Sequence, residues 1–415
     1  MTKRVSLTSF FRMEVDLEKY CDEMQQELTS ILDYWMFYTI DSAHGGFVGR
    51  IAHDNKIDRD APKGSVLHSR ILWTFSAAYN LTGNKKYQEM AERAFEYIAD
   101  KFIDKGFGGV YWTVDRNGCP LDTKKQIYAL SFAIYGLSEF YQSSKEESAK
   151  EYAINLYHDI QNHSYDQKKG GYIEGLSRNW KELKDRRLSA KDANEKKSMN
   201  THLHVLEGFA NLYRAWPDKL LKERLIELVD IFLGRIISEE TGHLLLFFDD
   251  DWNSRSGTIS YGHDIEAAWL VQEAAGLVKD ELSLLKVKDK SILLADAARK
   301  GVDKDGGLWY EYDAEKKHLI KQKHSWPQAE AMIGFFNAWQ NTGDEKYLKQ
   351  SWRSWEFVKN YMHDKHFGEW YWGVYEDYSP MSNEDKVGIW KCPYHNSRAC
   401  IEIIHRIKQI QNTDS

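Results

Sequence analysis

Six times along the 415-residue chain a glycine-and-aromatic segment returns, and no other feature restricts the fold so tightly. The copies are His44-Gly45-Gly46-Phe47, Gly108-Gly109-Val110-Tyr111-Trp112, Gly170-Gly171-Tyr172, Gly242-His243-Leu244, Gly306-Gly307-Leu308-Trp309 and Gly368-Glu369-Trp370-Tyr371-Trp372. Their spacing of roughly 60 to 70 residues accommodates a helix pair plus a short hairpin. Between copies the apolar period changes to three and four, as in Ile71-Leu72-Trp73-Thr74-Phe75 and, after a Thr82-Gly83-Asn84 break, from Tyr87 to Ile98. The same helix, turn, helix order follows Tyr128, His204, His263, Trp326 and His395, but after the last only one helix remains. Val15 to Tyr38 is also helical and supplies the missing partner if the ends meet. An open solenoid would need polar caps at both ends. The expectation is therefore an all-α chain, residues 1–415 as one domain: a single (α/α)6 barrel of about twelve helices with short β-hairpins at one end. The longest irregular segment, Leu176 to Met199, is rich in charge and reads either as a solvated loop or as a lid.

The bulk properties exclude several classes. A net charge of −7 argues against a polyanionic partner, so no nucleic acid is expected. No apolar run is long enough to span a bilayer, so no membrane association is expected. Met1-Thr2-Lys3-Arg4-Val5-Ser6 precedes no apolar run of the kind a secretory signal needs. Cys21, Cys119, Cys392 and Cys400 fall at no metal-ligand spacing, and reduced thiols in a cytoplasmic protein are the simplest reading. Aromatic residues reach 14%, with 15 Trp and 24 Tyr. Their apolar faces and polar handles suit cores and also suit sugars.

The ionisable residues that recur at helix starts form the candidate site. In Tyr261-Gly262-His263-Asp264-Ile265-Glu266, His263 and Glu266 lie three apart, on one helix face. His204 and Glu207 repeat that spacing, and His395 again precedes a helical stretch. If the inner helices all begin at one end, Arg70, Tyr128, Asn200, His204, His263, Glu266, Trp326 and His395 gather around one mouth. Helix N-termini there favour an oxygen-rich ligand and a developing negative charge. Taken singly, His204 or His263 is more often a structural histidine than a catalyst. Glu207 and Glu266 can satisfy helix N-termini, Trp326 and Trp390 can be core, and Arg70 can be half of a buried ion pair. Their recurrence at the corresponding place in successive repeats favours function. There is no His-Glu-x-x-His, no Cys-x-x-Cys, no Walker lysine and no dinucleotide loop, so no metal is expected.

Four segments carry a specific resemblance: Lys197-Ser198-Met199-Asn200-Thr201-His202-Leu203-His204, Gly262-His263-Asp264-Ile265-Glu266, Trp326-Pro327-Gln328-Ala329-Glu330 and Trp390-Lys391-Cys392-Pro393-Tyr394-His395-Asn396. From about Glu27 to Ile407 the chain resembles the cellobiose 2-epimerases of the N-acylglucosamine 2-epimerase superfamily. The resemblance implies an (α/α)6 barrel that needs no cofactor. It implies reversible epimerisation at C2 of the reducing-end sugar of β-1,4-linked disaccharides, cellobiose to glucosyl-mannose and lactose to epilactose. It assigns His263 and His395 as the acid/base pair and His204 as a third essential histidine near O1 and O2. Arg70, Tyr128, Asn200 and Glu266 become polar substrate contacts, and Trp326 and Trp390 stacking platforms. One departure is visible: many relatives carry two tryptophans before Pro-Gln-Ala-Glu, whereas this chain has His324-Ser325-Trp326. Rivals are a monosaccharide epimerase or aldose–ketose isomerase of the same superfamily, a glycoside hydrolase on the same barrel, and a non-catalytic sugar binder. The expected partner is a small-molecule disaccharide, and a monomer is expected.

Overall fold

The computed structural model describes residues 15–278 and 281–413. Residues 1–6, on which the expectation about secretion rested, lie outside the described residues. Twelve α-helices are present among them: α1 (Leu17–Tyr38), α2 (Ser65–Thr82), α3 (Lys85–Tyr97), α4 (Ile127–Ser144), α5 (Glu147–His163), α6 (Met199–Ala215), α7 (Lys219–Ile231), α8 (Tyr261–Val278), α9 (Glu281–Arg299), α10 (Ser325–Thr342), α11 (Glu345–Phe357) and α12 (Tyr394–Thr413). Even-numbered helices form an inner ring in which each packs on the next and α12 closes on α2. Odd-numbered helices form the outer layer. The expected (α/α)6 barrel is the observed fold. No described helix is long and apolar enough to cross a membrane.

Sequence explains which helix goes where. An inner helix has neighbours on every side and must be apolar nearly all round. In α2 every residue from Ser65 to Ala78 is buried. An outer helix needs one stripe only, and α3 buries Tyr87, Ala91, Ala94 and Tyr97, at spacings of four and three. The tight turns between partners come from left-handed caps, Gly83 after α2 and Gly343 after α10, each followed by an Asn84 or Asp344 side chain that caps the next helix. The first helix closes the ring as anticipated. Tyr20 bonds Ser351 at 3.1 Å, Trp355 donates to Glu23 at 2.5 Å, and Trp370 donates to Glu27 at 2.6 Å.

Two further devices place the mouth. Short strands pair just ahead of the inner helices, for example Lys63–Gly64 with Thr113–Val114 and Lys197–Ser198 with Phe247–Phe248. In four of these strands a lysine reaches a buried clasp: Lys63 to Asp41, Lys125 to Asp104, Lys197 to Asp166 and Lys323 to Asp303, all at 2.8 to 2.9 Å. In four inner helices the fourth residue pins the glycine turn that precedes it. His68 accepts from Phe47 N–H, His202 from Tyr172 N–H, Asp264 from Leu244 N–H and Gln328 from Leu308 N–H. The turn must be glycine: a Cβ on Gly171, at φ +78°, would lie 2.6 Å from the His202 ring.

His202 Nδ1 faces the Ser198 carbonyl at 2.7 Å, so the ring is neutral, with hydrogen on Nδ1 and the Nε2 lone pair on the Tyr172 N–H. Burial, only partly offset by the Ser198 carbonyl, lowers its pKa from 6.5 to about 4. An unfolded chain therefore takes up a proton below pH 6.5 that the fold refuses. This stability is present above pH 6.5 and is lost on acidification toward pH 4, at up to about 1.4 kcal/mol per pH unit. Gln328 performs the same role with an amide that does not titrate. His202→Gln should flatten the decline in melting temperature between pH 7 and pH 5, and melting curves parallel to those of the unsubstituted protein would contradict it.

Candidate active site

All six inner helices begin at the hairpin end, and a cavity of about 540 Å³ opens there. Its lining includes Arg70, Tyr128, Asn200, His204, His263, Glu266, Trp326, Trp390 and His395, every residue singled out from the sequence. They do not share one register, however. Arg70, Phe132, His204, Glu266 and Glu330 are each the sixth residue of α2, α4, α6, α8 and α10, and Arg398 is the fifth of α12. His263 and His395 are third and second in their helices, so they sit about 4.5 Å nearer the mouth. The expectation that all occupy one equivalent place is corrected to two layers, a charged floor and a pair of imidazoles above it.

The floor is built on Arg398, which has no solvent exposure. Its Nη2 donates to Glu266 Oε1 at 2.8 Å and to Glu330 Oε1 at 2.6 Å, and its Nη1 reaches Glu207 and the Tyr394 hydroxyl. Burial alone would raise all three carboxyls. The nearby guanidinium overrides that for Glu207 and Glu330, which are held low. Glu266, also facing the charge of Glu330, is pushed well above the usual carboxylate range.

Each imidazole has its own support. His204 Nδ1 bonds Glu207 at 2.9 Å and His395 Nδ1 bonds Glu330 at 2.7 Å. His263 Nδ1 bonds the Ser260 hydroxyl at 2.8 Å. Glu266, expected among the polar substrate contacts, lines the cavity, and its hydrogen bond within the protein goes to Arg398 rather than to His263. Burial lowers both upper imidazoles to about 3, aided by the charges of His204 and His395 for His263 and opposed by Glu330 for His395. Both are therefore neutral near pH 7, the form in which imidazole accepts a proton.

Around them the cavity combines ring faces with unsatisfied polar atoms. Trp326 packs against His263 and His395 at centroid distances of 4.7 and 5.7 Å, and Trp390 against Tyr128 at 5.9 Å. Arg70 donates to the Tyr128 hydroxyl at 2.6 Å and lies 4.0 Å over the Phe132 ring. Asn200 Oδ1 and Trp372 Nε1 line the cavity, are buried, and have no hydrogen-bond partner. Such atoms await a ligand with hydroxyls. His324, in the departing His324-Ser325-Trp326 segment, stacks on Tyr310 at 3.9 Å and lines the cavity with Glu311, which burial pushes up to about 7. Leu188 to Asp192, from the long loop, form part of the same wall.

Donor atoms of Glu266, Glu330 and His395 lie within 4.8 Å of one another, a grouping with metal-like spacing. Both carboxylates are already bonded to Arg398, and His395 Nδ1 to Glu330, so the set is committed to protein partners. Among the residues that the sequence reading left without a role, Arg398 had a signal: it follows His395 by three, as Glu207 follows His204. Glu330 lay inside a quoted motif. Ser260 had none, being one serine in a Thr-Ile-Ser strand.

Removing Arg398 leaves buried carboxylates without a counter-charge. Arg398→Met should cost about 3–5 kcal/mol in denaturant unfolding at pH 7. The deficit should shrink by pH 5, where protons replace the guanidinium; an equal deficit at both pH values would mean that only packing was lost.

A model of the N-acylglucosamine 2-epimerase (GlcNAc 2-epimerase) family matches residues 45–399. A cellobiose 2-epimerase of Bacteroides fragilis is 48% identical over 92% of this chain and 98% of its own length. The solved structure of cellobiose 2-epimerase from Bacillus thermoamylovorans superposes with a TM-score of 0.90 at 38% identity, covering 94% of this chain and 100% of that one. An α-mannanase of Bacteroides thetaiotaomicron has a TM-score of 0.64 at 12% identity and covers 96% and 98% of the two chains, a likeness of barrel alone. With the match running through the hairpins, the inner helices and the cavity they line, the chain belongs to the N-acylglucosamine 2-epimerase family.

Proposed function

We propose that this protein is a cellobiose 2-epimerase, which reversibly inverts C2 of the reducing-end sugar of β-1,4-linked disaccharides such as cellobiose and lactose. The observation that carries the reading is the pair of imidazoles, His263 and His395, both against Trp326 in a cavity lined by aromatic rings and unpartnered polar atoms. The opened sugar presents a C2 proton alpha to an aldehyde, acidic enough for a side-chain base, so the proposed chemistry needs no cofactor. One imidazole removes that proton to give a cis-enediolate, and the other, after taking up a proton from solvent, delivers it to the opposite face, while the first releases its proton to solvent. Arg70 and His204 stabilise charge on O1 and O2. Tyr128 and Asn200 bind hydroxyls, and Trp326 and Trp390 stack on sugar faces. Glu266 sits beneath as part of the charged floor, with one of the imidazoles above it assisting ring opening.

A glycoside hydrolase needs two free carboxyl groups about 5 to 10 Å apart across the glycosidic bond. Glu207, Glu266 and Glu330 are instead gathered on Arg398, which supports proton transfer over hydrolysis. Reprotonation at C1 rather than C2 would give a ketose, so some isomerase activity is compatible with the same enediolate.

Incubation in deuterated water with cellobiose, lactose, mannose and N-acetylglucosamine side by side tests the reading. Glucosyl-mannose and epilactose carrying deuterium at C2 are expected, and His263→Ala or His395→Ala should each lower kcat by at least about 10²-fold. Free glucose from cellobiose, preference for the monosaccharides, or full turnover by either variant would overturn it.

A further inference from the structure

The two upper imidazoles are supported by different chemistry, and that difference has a consequence for His263. Behind His395 stands Glu330, a carboxylate already shared with Arg398. Behind His263, the hydrogen bond found among the described residues is to the hydroxyl of Ser260, a residue 1% exposed. A carboxylate can only accept, whereas a hydroxyl can accept or donate. The unit that carries His263 also departs from the four that hold a lysine clasp. Ile259 replaces the lysine found two residues before α2, α4, α6 and α10, and Ser238 stands where Asp41, Asp104, Asp166 and Asp303 receive those lysines. No buried ammonium therefore lies on this strand beside His263. The equivalent serine of α6, Ser198, accepts from Thr201 N–H and donates to Glu174, holding helix and turn. Ser260 gives its hydroxyl to the imidazole instead.

We propose that Ser260 is a positioning residue for His263: its buried hydroxyl accepts the Nδ1 hydrogen and keeps the Nε2 lone pair turned into the cavity. This rests on the epimerase reading for its catalytic meaning, but the hold on the ring does not depend on it. When His263 is the base, the C2 proton goes to its Nε2 and His395 delivers a different, solvent-derived proton to the opposite face; in the reverse direction the roles exchange. Nδ1 keeps its hydrogen throughout, so the serine accepts in both states. His395 has a separate support and is unaffected by loss of the hydroxyl. Ser260 accordingly acts on the step at one face of C2 only.

Two measurements on Ser260→Ala and Ser260→Thr test this. In histidine-labelled protein without substrate, nitrogen and carbon shifts of the His263 ring should report the Nδ1–H form in the unsubstituted protein and in Ser260→Thr. In Ser260→Ala they should report a mixture of the two neutral forms. With disaccharide, Ser260→Ala should lose about 10-fold in kcat, less than loss of the imidazole itself, with KM nearly unchanged. The primary isotope effect from C2-deuterated substrate should rise for one epimer and not for the other, and Ser260→Thr should restore it. A His263 ring that keeps its Nδ1–H form in Ser260→Ala overturns the proposal. So does a fall in kcat with both isotope effects unchanged, which would make the serine merely structural. Absence of disaccharide epimerisation by the unsubstituted protein would instead sink the functional reading, with the ring measurement still deciding the role of Ser260.

Discussion

A single buried guanidinium is the constraint to which the rest of this barrel answers. Arg398, on the last inner helix, contacts Glu207 on α6, Glu266 on α8 and Glu330 on α10. Taking three carboxyls out of water costs several kcal/mol each unless opposite charge and hydrogen bonds meet them. Because the answering charge comes from α12, closing the ring and neutralising its floor are one event. The same contacts leave Glu207 Oε2 for His204, while His395, above the floor, shares Glu330 Oε1 with Arg398. Electrostatics, helix packing and imidazole orientation are thus coupled through one side chain.

The repeat explains how so much chemistry sits on so regular a frame. Equivalent places near the inner helix starts recur around the ring, and packing asks only that the helices pass each other there. One layer holds Arg70, Phe132, His204, Glu266, Glu330 and Arg398; a later turn of the same helices reverts to core. Meanwhile the pinning position is conservative in role though not in residue type: His68, His202, Asp264 and Gln328 all accept a turn N–H. Two of the buried histidines are therefore structural, and residue type alone does not separate them from His204, His263 and His395. What separates them is the direction in which each ring points, toward a Gly-Gly turn or toward the axis.

Much of this was open to inspection in the sequence. A period of roughly 60 to 70 residues with alternating apolar patterns yields the barrel because each unit has one face that only its neighbours can cover. The helical opening segment and the unpaired last helix foretell closure, since each leaves an apolar face exposed without the other. The histidine-plus-three spacing of His204 and Glu207 becomes a hydrogen bond because residues three apart share a helix face. Local periodicity is enough to fix all of these.

Pairings between distant units are another matter. Nothing local says that Glu266 turns to Arg398 rather than to His263, its neighbour on the same face, or that His263 leans on Ser260. Nor does spacing reveal that Glu330 serves His395 from 65 residues away. Those choices depend on side-chain direction and on which helices the closed ring brings within 3 Å, and a barrel brings the first unit against the last. Sequence alone determined the architecture, the end at which the site lies and the residue types that line it. Tertiary structure decided which charge answers which, because burial makes each group's protonation depend on partners the chain reaches only by closing.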